Sequence, residues 1–86
     1  PGIPLRMNVK KPNKGEAFVL IKKRKINSKN YFFLSKNNNL IKAARNLYPL
    51  IRKIKNKGYK KIAVEKIPNI GIGQTINDRL ERASKY

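Results

Sequence analysis

The sequence predicts a small α/β domain in which a three- or four-stranded, partly parallel sheet carries two helices. Short apolar runs that are bounded by Pro, Gly or Asn predict the strands. Two longer segments, 40–57 and 74–84, have apolar residues three or four positions apart, which is typical of amphipathic helices. The first helix lies between the strand segments 31–34 and 61–67. This succession predicts a right-handed βαβ unit with parallel strands, which gives the sheet a Rossmann-like character.

The first half of the chain supplies three of the predicted strands. Apolar and polar residues alternate over 5–10, as in a half-exposed strand, while 17–21 is apolar enough to be central. The aromatic segment 31–34 favours a third strand. A turn at 12–15, with Pro, Asn and Gly, separates the first two strands. Because the loop 22–30 is shorter than a usual parallel crossover, loop length favours antiparallel pairing of the early strands.

The main helix has a predicted start and a predicted end. Asn39 is a suitable N-cap, and Gly58 is suitable as the residue that follows the helix in a left-handed conformation. Pro49 removes one helical hydrogen bond and is expected to kink the helix. In the shorter helix, one face is predicted to be apolar. Its residues are Ile72, Ile76, Leu80 and Ala83.

Composition excludes several classes of chemistry. The chain has no Cys and no His, which excludes disulfides, Cys/His zinc sites and catalysis by Ser-His or Cys-His pairs. Its four acidic residues make a catalytic carboxylate pair improbable, although Asp78 and Glu81 are one helical turn apart. No apolar run approaches the roughly 20 residues that span a bilayer. We therefore predict no catalytic residue and no metal site, and expect a monomeric, cytoplasmic domain from a longer protein with no membrane partner.

The net charge of +18 has two competing explanations. Such a charge attracts nucleic acid, and the basic loop residues Lys22, Lys23, Arg24 and Lys25 are the candidate RNA contacts. Alternatively, Lys, Asn and Ile accumulate through drift toward A/T-rich codons. Aromatic residues could add a stacking platform for RNA, but this would require two of them on one exposed face. At least one residue of the adjacent trio Tyr31, Phe32 and Phe33 is expected in the core, because neighbours in a strand point to opposite faces.

Several segments resemble a known family in the right order along the chain. Residues 62–68 (IAVEKIP) and the motif GIGQTINDRLERA at 71–83 resemble the end of the C-terminal domain of the two-domain threonylcarbamoyl-AMP synthases, the larger members of the YrdC-like family. Upstream, 46–52 resembles the helix that precedes the last strand, and 5–8 with 15–17 resembles the opening strands.

This resemblance implies that the intact protein is a nucleotidyltransferase that makes threonylcarbamoyl-AMP from threonine, bicarbonate and ATP with Mg²⁺, for the modification of an adenosine in certain tRNAs. In the family the active site lies in the N-terminal YrdC-like domain. Residues 1–4 would then end the interdomain linker, and 5–86 would be a non-catalytic accessory domain. Its expected partner is its own catalytic domain, whose cavity it would help to close or regulate, with tRNA as a further candidate partner. The alternative is a free-standing basic RNA-binding module that binds tRNA or the ribosome.

Two further segments are candidate sites. Gly71, Gly73 and Gln74 form a glycine turn before a helix, which could bind an anion or a nucleotide phosphate, or could serve packing alone. A dinucleotide fingerprint would need a third glycine where Ile76 stands. The triplet Asn77, Asp78 and Arg79 belongs to the family motif, and it is a candidate for docking the catalytic domain. Structurally, Asp78 could instead pair with Arg82, four residues later on the helix.

Overall fold

The computed structural model describes residues 3–22 and 28–85, which form four strands and two helices. In chain order these are β1 (Leu5–Arg6), β2 (Ala17–Lys22), β3 (Tyr31–Ser35), α1 (Leu40–Asn56), β4 (Ile62–Val64) and α2 (Ile72–Lys85). The strands form one sheet in the order β1-β4-β2-β3, and all three neighbouring pairs are parallel. The predicted α/β class with two helices is confirmed. The sheet is fully parallel, because every described strand runs in the same direction.

Strand β2 is central, as its apolar sequence predicts. It pairs with β4 on one side and with β3 on the other, so that Phe18 lies opposite both Ala63 and Tyr31. The five residues 17–21 are all buried, which means that both faces of this strand are covered. A continuous apolar run is typical of such a strand, whereas alternation would indicate one wet face.

The predicted antiparallel pairing of the early strands is wrong, because β2 and β3 are parallel. Only residues 23–30 separate them, and 23–27 lie outside the described residues. A parallel return needs about a dozen residues when it contains a helix. Eight extended residues reach about 26 Å, which exceeds the roughly 20 Å length of a six-residue strand. The return is therefore geometrically possible without a helix, and loop length alone does not decide strand direction.

Both helices pack on the same face of the sheet. The main core lies between this face and the helices, and it contains side chains from three strands and from both helices. Its fully buried members include Val19, Leu34, Leu47, Ile54, Ile62, Val64, Ile76 and Leu80. The opposite face carries a smaller cluster in which Phe18, Leu20 and Ala63 are buried. The predicted parallel relation of β3 and β4 is confirmed, although β2 lies between them.

The first strand is shorter than the alternation over 5–10 predicts. Asn8 has a positive φ of 58°, which breaks the two-residue period. Leu5 and Met7 pack against the main core, but Val9 packs against the cluster on the opposite face. The backbone N–H of Val9 still donates to the Val64 carbonyl at 3.0 Å, so the segment stays beside β4 after β1 ends.

Strand β4 ends at Val64, three residues before the predicted end at 67. The backbone hydrogen bonds from the N–H groups of β2 to the carbonyls along β4 begin at Ala17, which donates to the Lys61 carbonyl at 3.0 Å. The same spacing would bring the Ile21 N–H to the carbonyl of Glu65. Instead, Ile21 donates to the Glu65 side chain, Oε1, at 2.9 Å. The side chain of Glu65 thus replaces its own backbone as the acceptor, and the regular ladder ends there.

Helix α1 has the predicted caps. The side chain of Asn39 accepts a hydrogen bond from the Lys42 N–H at 3.1 Å, and Gly58 follows the helix with φ +94°. The helix continues through Pro49, which lies on its exposed side. Arg45, whose carbonyl loses its helical partner there, is also exposed, so water can hydrate that oxygen. The kink at Pro49 stays a prediction.

We expect Asn39→Ala to lower the free energy of unfolding by about 1 kcal/mol, because it removes the acceptor that caps the first turn of α1. Urea denaturation measures this change. Asn38→Ala is the matched control, since Asn38 is exposed and its change should stay within about 0.5 kcal/mol. Equal effects at the two positions would contradict the capping role.

Helix α2 begins at Ile72, two residues before the predicted start. Gly73 therefore lies in the first turn of the helix and is buried, whereas Ile72 is 39% exposed. Ile72 lies one helical turn before Ile76, as the sequence predicts, but it is exposed and does not join the core. Ile76 and Leu80 are buried as predicted, and Ala83 packs against the main core.

Candidate functional site

Glu16 is a buried carboxylate that joins two strands. It stands directly before β2 and is only 3% exposed. Its oxygens accept hydrogen bonds from Arg6 Nε at 2.8 Å, from Arg6 Nη2 at 2.7 Å and from the Asn13 N–H at 2.6 Å. Arg6 ends β1, and β4 lies between β1 and β2. This Arg6–Glu16 clamp therefore connects two strands that are not neighbours in the sheet.

The clamp keeps Glu16 ionised. Its pKa is lowered from 4.5 to about 2, chiefly by the hydrogen bond from Arg6, with help from the Asn13 N–H and against the effect of burial. The same hydrogen bond raises the pKa of Arg6. A general acid or base works best with a pKa near the operating pH. Although Glu16 lines a cavity of about 270 Å³ together with Arg6 and Lys61, we assign it a structural role.

The glycine turn at Gly71, Gly73 and Gln74 is largely hydrogen-bonded to itself. The Gly73 N–H donates to the Ile70 carbonyl, and the Gln74 N–H donates to the Gly71 carbonyl, both at 3.1 Å. Gly71 has φ +58°, a conformation that favours glycine. A Cβ on Gly73 would lie 1.9 Å from the Pro68 carbonyl oxygen. Conformation and packing account for both glycines, and anion binding at this turn stays a prediction.

Asn77 fixes α2 to the segment that follows β4. Its Nδ2 donates to the Ile67 carbonyl at 3.1 Å and to Asn69 Oδ1 at 3.3 Å. These two bonds bring the candidate docking triplet next to the glycine turn. The amide of Asn77 is therefore engaged within the domain, and within the triplet only Asp78 and Arg79 keep side chains for a partner.

Asp78 is exposed and Arg79 is half-buried on the next position of α2. The proposed pairing of Asp78 with Arg82 is not found, although both line one surface pocket. In the part of the chain that the structure describes, α2 instead has a Glu81–Lys85 pair, 3.8 Å between Oε1 and Nζ. Exposed pairs of this spacing contribute only a few tenths of a kcal/mol, so either arrangement is energetically easy.

Of the four candidate RNA contacts, one lies within the described residues. Lys22 ends β2 with an exposed side chain, while Lys23, Arg24 and Lys25 lie outside the described residues. RNA contact at this loop stays a prediction. Across 3–22 and 28–85, no group of three or more Asp or Glu side chains comes together as metal ligands.

Comparison with known proteins identifies the family. A family model described as the C-terminal domain of threonylcarbamoyl-AMP synthase matches residues 5–85. The chain belongs to this family. Searches of curated proteins and of solved structures give no match. The match includes the whole sheet and both helices, and it confirms the resemblance that the 71–83 motif indicates.

The aromatic residues in the strands of this threonylcarbamoyl-AMP synthase domain are divided between the two faces of its sheet. Phe32 is buried in the main core, which confirms that at least one residue of the trio is internal. Tyr31 and Phe33 are half-buried on the opposite face, where the Tyr31 and Phe18 rings meet edge to face at 5.2 Å. Neither side chain is displayed as an open stacking surface. None of the helices described for the domain is long and apolar enough to cross a membrane.

Sequence reasoning missed one surface of this synthase domain. A cleft of about 270 Å³ lies between its two helices, which we call the α1/α2 cleft. Its lining residues are Tyr48, Ile51, Arg52, Lys55, Arg82 and Ala83. The spacing of Tyr48, Arg52 and Lys55, four and then three residues apart, places them on one face of α1 and could have revealed it. The contribution from α2 depends on how the helices pack, which the sequence does not specify.

Proposed function

We propose that this domain is a non-catalytic part of an intact threonylcarbamoyl-AMP synthase, and that it packs on the N-terminal YrdC-like domain and helps to close or regulate the cavity for ATP and threonine. The family match over residues 5–85 supports this proposal. The intact enzyme would act as a nucleotidyltransferase, joining AMP to threonylcarbamate and releasing pyrophosphate. In this proposal ATP and Mg²⁺ would be held by the catalytic domain.

The observation that carries the docking proposal is an exposed pair of isoleucines. Ile70 is 79% exposed just before α2, and Ile72 is 39% exposed at its first position. Arg79 is seven residues after Ile72, which is two helical turns along the same face. We call Ile70, Ile72 and Arg79 the docking face. Neighbouring apolar side chains in water favour burial against a partner, and the match to a C-terminal domain of a synthase supports a catalytic domain of the intact protein as that partner.

The double substitution Ile70→Ser and Ile72→Ser tests this face in the protein that carries both domains. Burying one isoleucine contributes about 2 kcal/mol, so we expect loss of the pair to weaken domain docking on the order of tenfold or more. We further expect kcat/KM for threonylcarbamoyl-AMP formation to fall by a similar factor. A pyrophosphate-release assay measures the rate, and the cleavage rate of the interdomain linker by protease reports on docking.

Ile41→Ser is the matched control for this experiment. Ile41 is 56% exposed but lies at the start of α1, away from the docking face in sequence and on a different helix. It should leave both the activity and the protease sensitivity unchanged. If the double variant behaves like this control, the docking face is assigned wrongly.

A further inference from the structure

The α1/α2 cleft combines an apolar floor, an exposed aromatic ring and three cations. The floor of the cleft is formed by Ile51 and Ala83, and Ile51 is only 6% exposed. Both residues also contact the main core, which holds them in place. Tyr48 is 42% exposed. The exposed side chains of Arg52, Lys55 and Arg82 complete the lining. The cleft thus offers a flat ring beside several positive charges.

The charges around the cleft are mostly uncompensated. Helix α1 has no acidic residue among its 17 residues. The facing helix α2 contributes Asp78 and Glu81, and Glu81 pairs with Lys85. Asp78 shares a neighbouring pocket with Arg82, so Arg82 is the cleft cation that has a carboxylate close by. No ion pair to Arg52 occurs within the described residues, and the same holds for Lys55. The cleft should therefore attract anions.

We propose that the α1/α2 cleft binds a nucleotide unit of a single-stranded nucleic acid, with the base stacked on Tyr48 and the phosphate held by Arg52, Lys55 and Arg82. Every base has a π-face, so stacking on tyrosine needs no particular sequence. Guanidinium groups bind phosphate with two parallel hydrogen bonds, and lysine adds a point charge. An acidic protein segment would use the cations but not the exposed ring. This site shares no residue with the glycine turn or with the docking face.

Tyr48 provides the first test, on the whole 86-residue chain with a fluorescein-labelled oligoadenylate of 12 nucleotides as the probe. Tyr48→Ala should weaken binding about fivefold or more, because it removes the stacking surface. Tyr48→Phe keeps the ring and should retain affinity within about twofold. Thermal unfolding checks that both variants remain folded, which the exposure of Tyr48 favours. Equal affinities for the alanine variant and the unaltered chain would overturn the proposal.

The cations provide the second test, with a control that has the same net charge. In the cleft variant, Arg52, Lys55 and Arg82 are all replaced by Gln. In the control variant, the exposed lysines Lys10, Lys11 and Lys29 are replaced by Gln. Both changes remove three positive charges, so general attraction to a polyanion falls equally.

We expect only the cleft variant to lose specific contacts. Each phosphate contact to a single strand contributes about 0.7 to the slope of log K against log salt, so loss of the one phosphate contact should make the slope shallower by about 0.7. The control variant should change this slope by less than half as much. Equal changes in the two variants would show that binding follows the overall charge, which would overturn the site.

Two further probes identify the ligand. If binding depends on Tyr48 and oligoadenylate binds at least tenfold more tightly than AMP, the ligand is a nucleic-acid strand. If binding depends on Tyr48 and the two affinities are equal, the ligand is a free nucleotide, which would overturn the proposal of a strand. If polyglutamate binds as tightly as oligoadenylate and its binding does not depend on Tyr48, the cleft recognises an acidic protein partner. This result would overturn nucleotide recognition. These assays use the chain without its catalytic domain. Failure of the docking proposal would therefore leave their outcome unaffected.

Discussion

Gly73→Ala is expected to destabilise the chain by about 3 kcal/mol. The added Cβ would lie 1.9 Å from the Pro68 carbonyl oxygen and 3.1 Å from its carbonyl carbon, and these are backbone atoms that cannot rotate away. The buried first turn of α2 must then shift relative to the segment after β4. Forcing extra atoms into a well-packed core lowers the free energy of unfolding by up to about 3 kcal/mol. Urea denaturation of the variant measures the loss, as a lower midpoint with an unchanged slope.

Gly58→Ala separates this steric effect from backbone conformation. Gly58 has φ +94°, but nothing lies within 4 Å of a Cβ built there. Its replacement should therefore cost only about 1 kcal/mol, from the left-handed backbone alone. If Gly73→Ala were no more damaging than Gly58→Ala, the close approach of α2 to Pro68 would be refuted.

The second large effect is expected at the Arg6–Glu16 clamp. Glu16→Gln should lower the free energy of unfolding at pH 7 by about 2 kcal/mol, because a neutral amide cannot accept both hydrogen bonds from Arg6. Arg6 keeps 47% of its side chain in solvent, so its charge can be rehydrated and the loss stays below that of a fully buried pair. Glu81→Gln is the control, and loss of that exposed pair should cost less than about 0.5 kcal/mol.

The clamp also predicts a pH dependence. The pKa of Glu16 is about 2 in the folded chain and 4.5 ordinarily, so the unfolded chain takes up this proton first as the pH falls. The contribution of Glu16 to stability is therefore complete above about pH 5, and it is lost progressively as the pH falls from 4.5 toward 2. The unaltered chain and Glu16→Gln should converge in stability over this range. Parallel stability curves for the two proteins would contradict the clamp.

Local signals made a large part of the fold predictable. The apolar run of β2 and the polar caps of α1 each depend on residues close in sequence, so the sequence shows them directly. The Arg6–Glu16 clamp was not predicted, because its partners come together only when β4 lies between their strands. The α1/α2 cleft was missed for the same reason, since Arg82 reaches it through helix packing. Features that depend on strand order or on helix contacts have no local pattern.

The start of α2 shows how packing overrides a local rule. Glycine is a poor helix residue, so the sequence predicts that the helix begins after Gly73. In the folded chain the helix begins at Ile72, and Gly73 in its first turn lies so close to the Pro68 carbonyl that a residue with a Cβ would not fit there. Ile72, at the first position of this turn, is 39% exposed and belongs to the proposed docking face.

The position of β4 has a consequence for synthesis of the chain. Leu5, at the start, pairs with Ile62, which the ribosome adds when most of the domain has already been made. Until then β1 has no neighbour and one side of β2 is open, so the nascent chain exposes apolar strands for much of translation. Pairing between such distant residues slows folding. We expect newly made copies of this domain to depend on chaperones until β4 inserts.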